Sequence, residues 1–202
     1  ISNYPENQIE ELQAENNPEN ESDGNRDIMF SKEIYIEHSD FMIEAPKKYF
    51  RLSPGKEVRL KHAYYITCND YKIDENGKVL EVYCTYDQKT KGGWSDDGRK
   101  VRGTLHWVSA INFIDAEVRL YDHLFLDESP ESSEKKIKDN LNPYSITTLN
   151  NCKLEKSLEN AKLNENYQFL RNGYFCLDKD SSSKKLIFNR SVGLRDSWKK
   201  YI

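Results

Sequence analysis

Most of the residue patterns that carry catalysis are missing from this sequence. The four cysteines, Cys68, Cys84, Cys152 and Cys176, form no CxxC pair, and none stands at a zinc-ligand spacing from a histidine. That excludes a zinc finger or ribbon and leaves buried thiols of a reducing cytosol. His38, His62, His106 and His123 are scattered and read as strand-edge residues with satisfied ring nitrogens, not as ligands. Neither Gly92-Gly93 nor Gly98 leads into the Lys-Ser/Thr of a phosphate-binding loop. No serine lies in a nucleophile elbow. The paired acids Asp96-Asp97 and Asp178/Asp180 sit among lysines at turns and read as turn residues. No catalytic residue and no metal site is expected. No apolar run approaches the roughly 20 residues of a membrane span. The opening Ile1-Ser2-Asn3-Tyr4-Pro5 is no signal peptide. It also lacks an initiator Met, so the chain is expected to be a piece of a longer, cytoplasmic protein with no membrane partner.

What is present is aromatic and charged. Thirteen Tyr, eight Phe and three Trp favour sheet, and no long helical periodicity opposes them. A chain of 202 residues allows one large domain or two small ones. The net charge of −4 is uneven. Residues 1 to 26 hold seven acidic residues and one basic, leaving 29 basic against 27 acidic in the rest. Any polyanion site must therefore be a local patch rather than a global field.

Residues 1 to 27 are polar, rich in Glu and Asn, and read as a linker or extended arm. Beyond them come short alternating runs. Strands are predicted over 33–37, 56–61, 63–67, 78–86, 98–107, 117–125, 144–148, 167–171, 173–177 and 185–189. In the central run Lys100 and Arg102 are expected on the wet face and Val101 on the buried one. Asp74-Glu75-Asn76-Gly77 is a hairpin signal. Two helical pieces are predicted: a short one over 40–44 capped by Ser39, and one over 154–161 from the spacing of Leu154, Leu158 and Ala161. The segment 127–139 reads as loop plus a helical turn. Short strands with turns every 8 to 12 residues argue for an all-β fold of two small β-barrels in tandem, residues 28–115 and 116–202, with strand exchange between them left open.

Two clusters mix cations with rings. Lys47, Lys48, Tyr49, Arg51, Arg59, Lys61 and His62 form the first. Gln168, Phe169, Arg171 and Tyr174 form the second. Such residues pair phosphates and base edges and stack on unpaired bases, so single-stranded RNA leads on chemistry alone. A charged, solvated strand face is the plain alternative for either cluster.

The runs 56–60 (KEVRL), 84–87 (CTYD), 98–109 (GRKVRGTLHWVS), 117–122 (EVRLYD), 169–178 (FLRNGYFCLD) and 188–198 (FNRSVGLRDSW) resemble, in order, the C-terminal region of the glutaminyl-tRNA synthetase family. The related eukaryotic and archaeal glutamyl-tRNA synthetases are the near alternative. A free-standing RNA-binding barrel and a plain interaction module are the others. The resemblance implies two anticodon-binding barrels with the topology of a 5S-rRNA-binding ribosomal protein. It implies a monomer whose partner is the tRNA(Gln) anticodon stem-loop. It also implies a class I ligase whose HIGH and KMSKS motifs, with ATP and Mg, belong to an upstream Rossmann domain. Neither motif occurs here, so the chain itself is expected to be non-catalytic and to hold no cofactor.

By the same resemblance Arg51 corresponds to the arginine that contacts the third anticodon base, a guanine. Arg59 and Lys61 correspond to the basic pair at the first base, with lysine where arginine is usual. Gln168 and Arg171 correspond to the central-uracil pocket, with Leu170 in place of an acid. Phe50 stands where a lysine is usual. Lys47 and Lys48 are added as cations, and Asn16, Asn17 and Asn20 as a loop touching the anticodon stem-loop. A helical arginine that also serves the central base would precede Ile1. The central run, with Trp107 and Tyr121 expected in cores or at the seam, then becomes architectural. Its cations are expected to contact backbone phosphates or the rest of the enzyme.

Overall fold

A computed structural model describes residues 1–132 and 136–194. The all-β reading holds: the only helical pieces among the described residues are 3-10 turns of up to five residues. The chain divides into two compact units, Ile1–Phe113 with Glu155–Ser157, and Ile114–Leu154 with Leu158–Ile202.

The first unit contains β1 (Ile9–Glu15), β2 (Asn25–Ser31), β3 (Ile34–Ile36), β4 (Glu57–Leu60), β5 (Tyr65–Ile73), β6 (Val79–Asp87), β7 (Thr104–Leu105) and β8 (Trp107–Ser109). Strands β1 and β2 form an antiparallel ribbon, and β3 pairs with β8. The remaining four make a sheet in the order β6-β5-β4-β7, with β7 parallel to β4. One core joins them. Phe30 is fully buried and meets the rings of Tyr4, Tyr64 and Trp107 at centroid distances of 5.0 to 5.2 Å. Edge and tilted ring contacts of this kind add to simple area burial.

The second unit holds β9 (Phe113–Tyr121) after its first residue, β10 (Ile146–Glu155) up to its last, β11 (Asn166–Phe169), β12 (Gly173–Leu177) and β13 (Leu186–Val192). They form one sheet in the order β10-β9-β13-β12-β11, with β13 parallel to β9. Its buried centre is small: Ala116, Val118, Phe175 and Phe188. Phe169 stacks on Phe175 at 4.2 Å and supplies much of what a larger core would. Among the described residues the ladders of neither unit join into a closed ring. The sheets have two, two, four and five strands, each with open edges, so side-chain packing rather than a continuous ladder closes the first unit around its core.

The Asn76-Gly77 hairpin forms as read. Asp74 Oδ1 accepts from the backbone N–H groups of Asn76 and Lys78, at 2.9 and 2.8 Å. Five expectations need correction. Residues 1 to 27 are not a linker, because β1 and β2 occupy them. Leu12 and Ala14 are buried while Glu11, Gln13 and Glu15 face water, so the acidic composition reports only the outer face. No helix spans 40–44. A 3-10 turn covers His38–Asp40, and Phe41 bridges Leu52, because the Asp40 side chain is drawn inside to Arg51. Residues 154–161 are the end of β10 followed by a 3-10 turn, Lys156–Asn160. Leu154, Leu158 and Ala161 still pack on the second core, so a strand end plus a tight turn meets the same apolar spacing. Residues 98–103 are irregular rather than strand, and Val101 is only half-buried. Trp107 lies in the first core as expected, but Tyr121 is 44% exposed. The closing motif from Arg195 to Trp198 lies outside the described residues.

Candidate nucleic-acid interface

In the first unit the parallel pair β4–β7 carries the site. Arg59 lies on β4 between the buried Val58 and Leu60, so its side chain leaves the sheet on the opposite face. Its Nε and Nη2 both donate to Thr104 Oγ1, at 3.1 and 2.9 Å, and Nη1 donates to the Gly93 carbonyl at 3.4 Å. The guanidinium carbon lies over the Trp94 ring, 5.5 Å from its centroid. A second cation lies over a second ring, Arg102 over Phe50, at 5.4 Å. Gly103 brings these groups together. Its carbonyl accepts from Arg59 N–H at 2.8 Å, and a Cβ there would stand 2.7 Å from the Phe50 carbonyl oxygen. Only glycine lets the 50–51 segment approach this closely. Gly93 has the same role on the other side: φ is +83°, and a Cβ would meet Arg59 Cδ at 2.8 Å.

Arg51, next to Phe50, has its Nη1 2.8 Å from Asp40 Oδ1, and the Asp40 side chain is fully buried. An arginine half-exposed above a buried carboxylate is held in one orientation with its outer edge turned to water. Lys61 follows β4. Its N–H donates to Leu105, its carbonyl accepts from Trp107 Nε1 at 2.9 Å, and its side chain is half-exposed. His62 takes φ +62° at the turn that follows. Burial, and then Lys61 beside it, lower its pKa, so its ring is held neutral. Lys47 and Lys48 are exposed on the turn in which Tyr49 N–H donates to Pro46.

The loop bearing Trp94 is fixed at both ends. Buried Thr90 Oγ1 accepts from Tyr65 N–H at 2.8 Å. At the other end Arg99 donates to Glu57 at 2.9 and 3.0 Å, to Asp87 at 2.6 Å and to Asp97 at 2.5 Å, and lies over the Tyr65 ring. These bonds, to Glu57 first, raise its already high pKa. The Ser95 hydroxyl and then Arg99 hold Asp97 down at about 2. Arg99 is therefore an internal clasp, which corrects the expectation that it contacts phosphates or another domain. The signal for that lay in Asp87 and Glu57, distant in sequence.

The second unit holds Gln168 and Arg171. Gln168 is exposed on β11, directly across from Tyr174 on β12, whose ring is 43% exposed. Arg171 sits at the turn between these strands with φ +66° and is half-exposed. Thus the structure groups Arg51, Arg59 and Lys61 in one unit, and Gln168 and Arg171 in the other.

Asn16, Asn17 and Asn20 occupy the tip between β1 and β2. Their amide nitrogens donate to Asp23: to its carbonyl from Asn16 at 2.9 Å, and to its carboxylate from Asn17 and Asn20 at 2.8 and 2.9 Å. These donors hold the loop's own shape, and Glu15, Glu19 and Glu21 around them oppose phosphate. Sequence reading missed Trp94, Thr104 and the Arg102–Phe50 pair. The clue was a tryptophan in a Gly- and Asp-rich stretch with no apolar neighbours to bury it.

Taken together, the geometry offers forked cations beside exposed rings, which suits unpaired bases on a phosphate backbone. Among the described residues no cluster of His, Cys, Asp or Glu is arranged for a metal ion, and no helix is long and apolar enough to cross a membrane. The four cysteines are free.

Comparison with known proteins agrees in both units. Two anti-codon binding domain families of the class I tRNA synthetases (E and Q) match, one over residues 1–87 and the other over residues 104–178. The chain is 51% identical over 200 residues to a glutamine--tRNA ligase of Nitrobacter winogradskyi, covering 99% of this chain and 35% of that protein. It is 51% identical to the Clostridium perfringens glutamine--tRNA ligase, covering 98% and 36%, and 47% identical to that of Vibrio vulnificus, covering 99% and 36%. The chain thus spans about a third of the length of these relatives.

Proposed function

Because the chain belongs to the anticodon-binding domains of the class I tRNA synthetases for Glu and Gln, we propose that it reads the anticodon loop of tRNA(Gln). In this reading it is the tRNA-selecting part of a cytoplasmic, monomeric glutamine--tRNA ligase. The adenylating chemistry, with ATP and Mg, belongs to the part of such a ligase outside this chain. Arg51 reads guanine at the third anticodon base, because a guanidinium fork meets O6 and N7 together. Arg59 and Lys61 serve the first base. The lysine keeps the charge but not the planar fork, so discrimination there is looser. Gln168 and Arg171 serve the central uracil. Lys47 and Lys48 neutralise phosphate, and the Asn16–Asn20 loop contributes shape beside the stem.

The observation that carries this reading is Arg51 held by Asp40 and Arg59 held by Thr104 and Gly93, beside the Arg59–Trp94 and Arg102–Phe50 pairs, so that both guanidinium groups are oriented by internal partners. Preorganised forks cost little to order on binding. About five cations engaging a single-stranded loop give a slope of log affinity against log salt of about −3.5. Titration of an anticodon stem-loop from 50 to 300 mM salt, at concentrations chosen for about tenfold steps in affinity, measures it. A flat response contradicts the reading. The chain alone is also expected to catalyse no ATP–pyrophosphate exchange, and measurable exchange would contradict the division of labour.

A further inference from the structure

Trp94 is 74% exposed, the largest ring the first unit leaves in water. Loose attachment does not explain it. Thr90 on one side is fully buried and bonded to Tyr65, and Gly93 N–H donates back to Thr90 at 2.9 Å. On the other side Arg99 is locked by three carboxylates. Between these anchors Gly92 and Gly93 take φ +84° and +83°, a reversal that turns the ring outward. One side of the ring is backed by Arg59, whose own guanidinium is fixed by Thr104 and the Gly93 carbonyl. A fold that spends this many contacts holding a tryptophan in water gains no core from it.

We propose that Trp94, backed by Arg59, is a stacking platform for an unpaired base of the bound RNA. The proposal rests on the anticodon-loop reading of this surface and assigns Trp94 a role separate from base-edge reading. A flat indole backed by a cation suits any nucleobase, because every base has a π-face and none of the ring's contacts tests a base edge. The platform therefore adds affinity without sequence preference, whereas Arg51 and Arg59 supply the preference. A second cation–ring pair, Arg102 over Phe50 at 5.4 Å, adjoins Gly103 on a smaller ring.

The test uses the 202-residue chain and anticodon stem-loops carrying 2-aminopurine in turn at each loop position. Trp94→Ala is expected to weaken binding about fivefold or more. The loss should be equal for loops matched and mismatched at the third anticodon base. The native chain is expected to quench the fluorescence at one loop position, and the alanine variant to abolish that quenching. Trp94→Phe should restore part of both. Unfolding midpoints of the variants should match the native chain, since the ring is exposed. Native-like affinity and quenching in Trp94→Ala overturn the proposal while leaving the anticodon reading standing. Failure of the native chain to bind any stem-loop overturns both.

Discussion

Glu155→Gln is expected to lower the unfolding free energy at pH 7 by about 3 kcal/mol. Glu155 ends β10 and belongs to the first unit. Its carboxylate accepts from Arg26 Nε at 2.6 Å and Nη2 at 3.1 Å, with His106 Nε2 at 2.9 Å. Only 16% of the side chain is exposed. Burial pushes its pKa up, but the bonds from His106 and Arg26 outweigh it and hold the group at about 2, against an ordinary 4.5. That drop corresponds to about 3 kcal/mol. The folded pKa is depressed, so this stability is fully present above about pH 4.5 and is lost as the pH falls towards 2. The glutamine keeps the shape, loses the charge, and leaves Arg26 without its counter-ion and His106 without its carboxylate partner. Urea titrations at pH 7, 4 and 3 should show the native chain and the variant converging as acid removes the difference. Equal midpoints at pH 7 would mean that the cluster contributes nothing. The site depends on this cluster because His106 directly follows β7, whose Thr104 orients Arg59.

Arg51→Ala is expected to weaken binding of the glutamine anticodon stem-loop by about 1–3 kcal/mol and to erase most of the preference for guanine at its third base. The alanine also strips buried Asp40 of its ion-pair partner, which costs stability and confuses absolute affinities. The affinity ratio for guanine over adenine is free of that problem, since both ligands meet the same protein. Arg51→Lys sharpens the comparison. It keeps a positive charge over Asp40 but loses the fork, so the fold should survive while the preference falls. A lysine variant that still favours guanine as strongly as the native chain would remove Arg51 from base reading.

How legible these features were in the sequence depended on how far apart their determinants lie. The β5–β6 hairpin is set by Asp74 and its near neighbours and was readable. So were the alternating strands β4 and β12. Strand β1 was hidden because its outer face is mostly Glu and Gln, with only Leu12 and Ala14 marking the inner one. The central run misled for the opposite reason. Lys100, Val101 and Arg102 alternate like a strand, but Glu57 and Asp87, 42 and 12 residues away from Arg99, draw the chain out of the sheet. The cations of the candidate site and Gln168 are legible as clusters of charge among rings, and the family resemblance adds which base each serves and the Asn16, Asn17 and Asn20 loop. The ring beside Arg59 was not legible, because Trp94 reaches it only through the fold of the 88–103 loop.

The most direct measurement is the dissociation constant of the native chain for two anticodon stem-loops that differ only at the third anticodon base, guanine against adenine, at one fixed salt concentration. Recognition by a preset arginine fork predicts that the guanine loop binds about 5- to 150-fold tighter. Equal affinity for the two loops would contradict it.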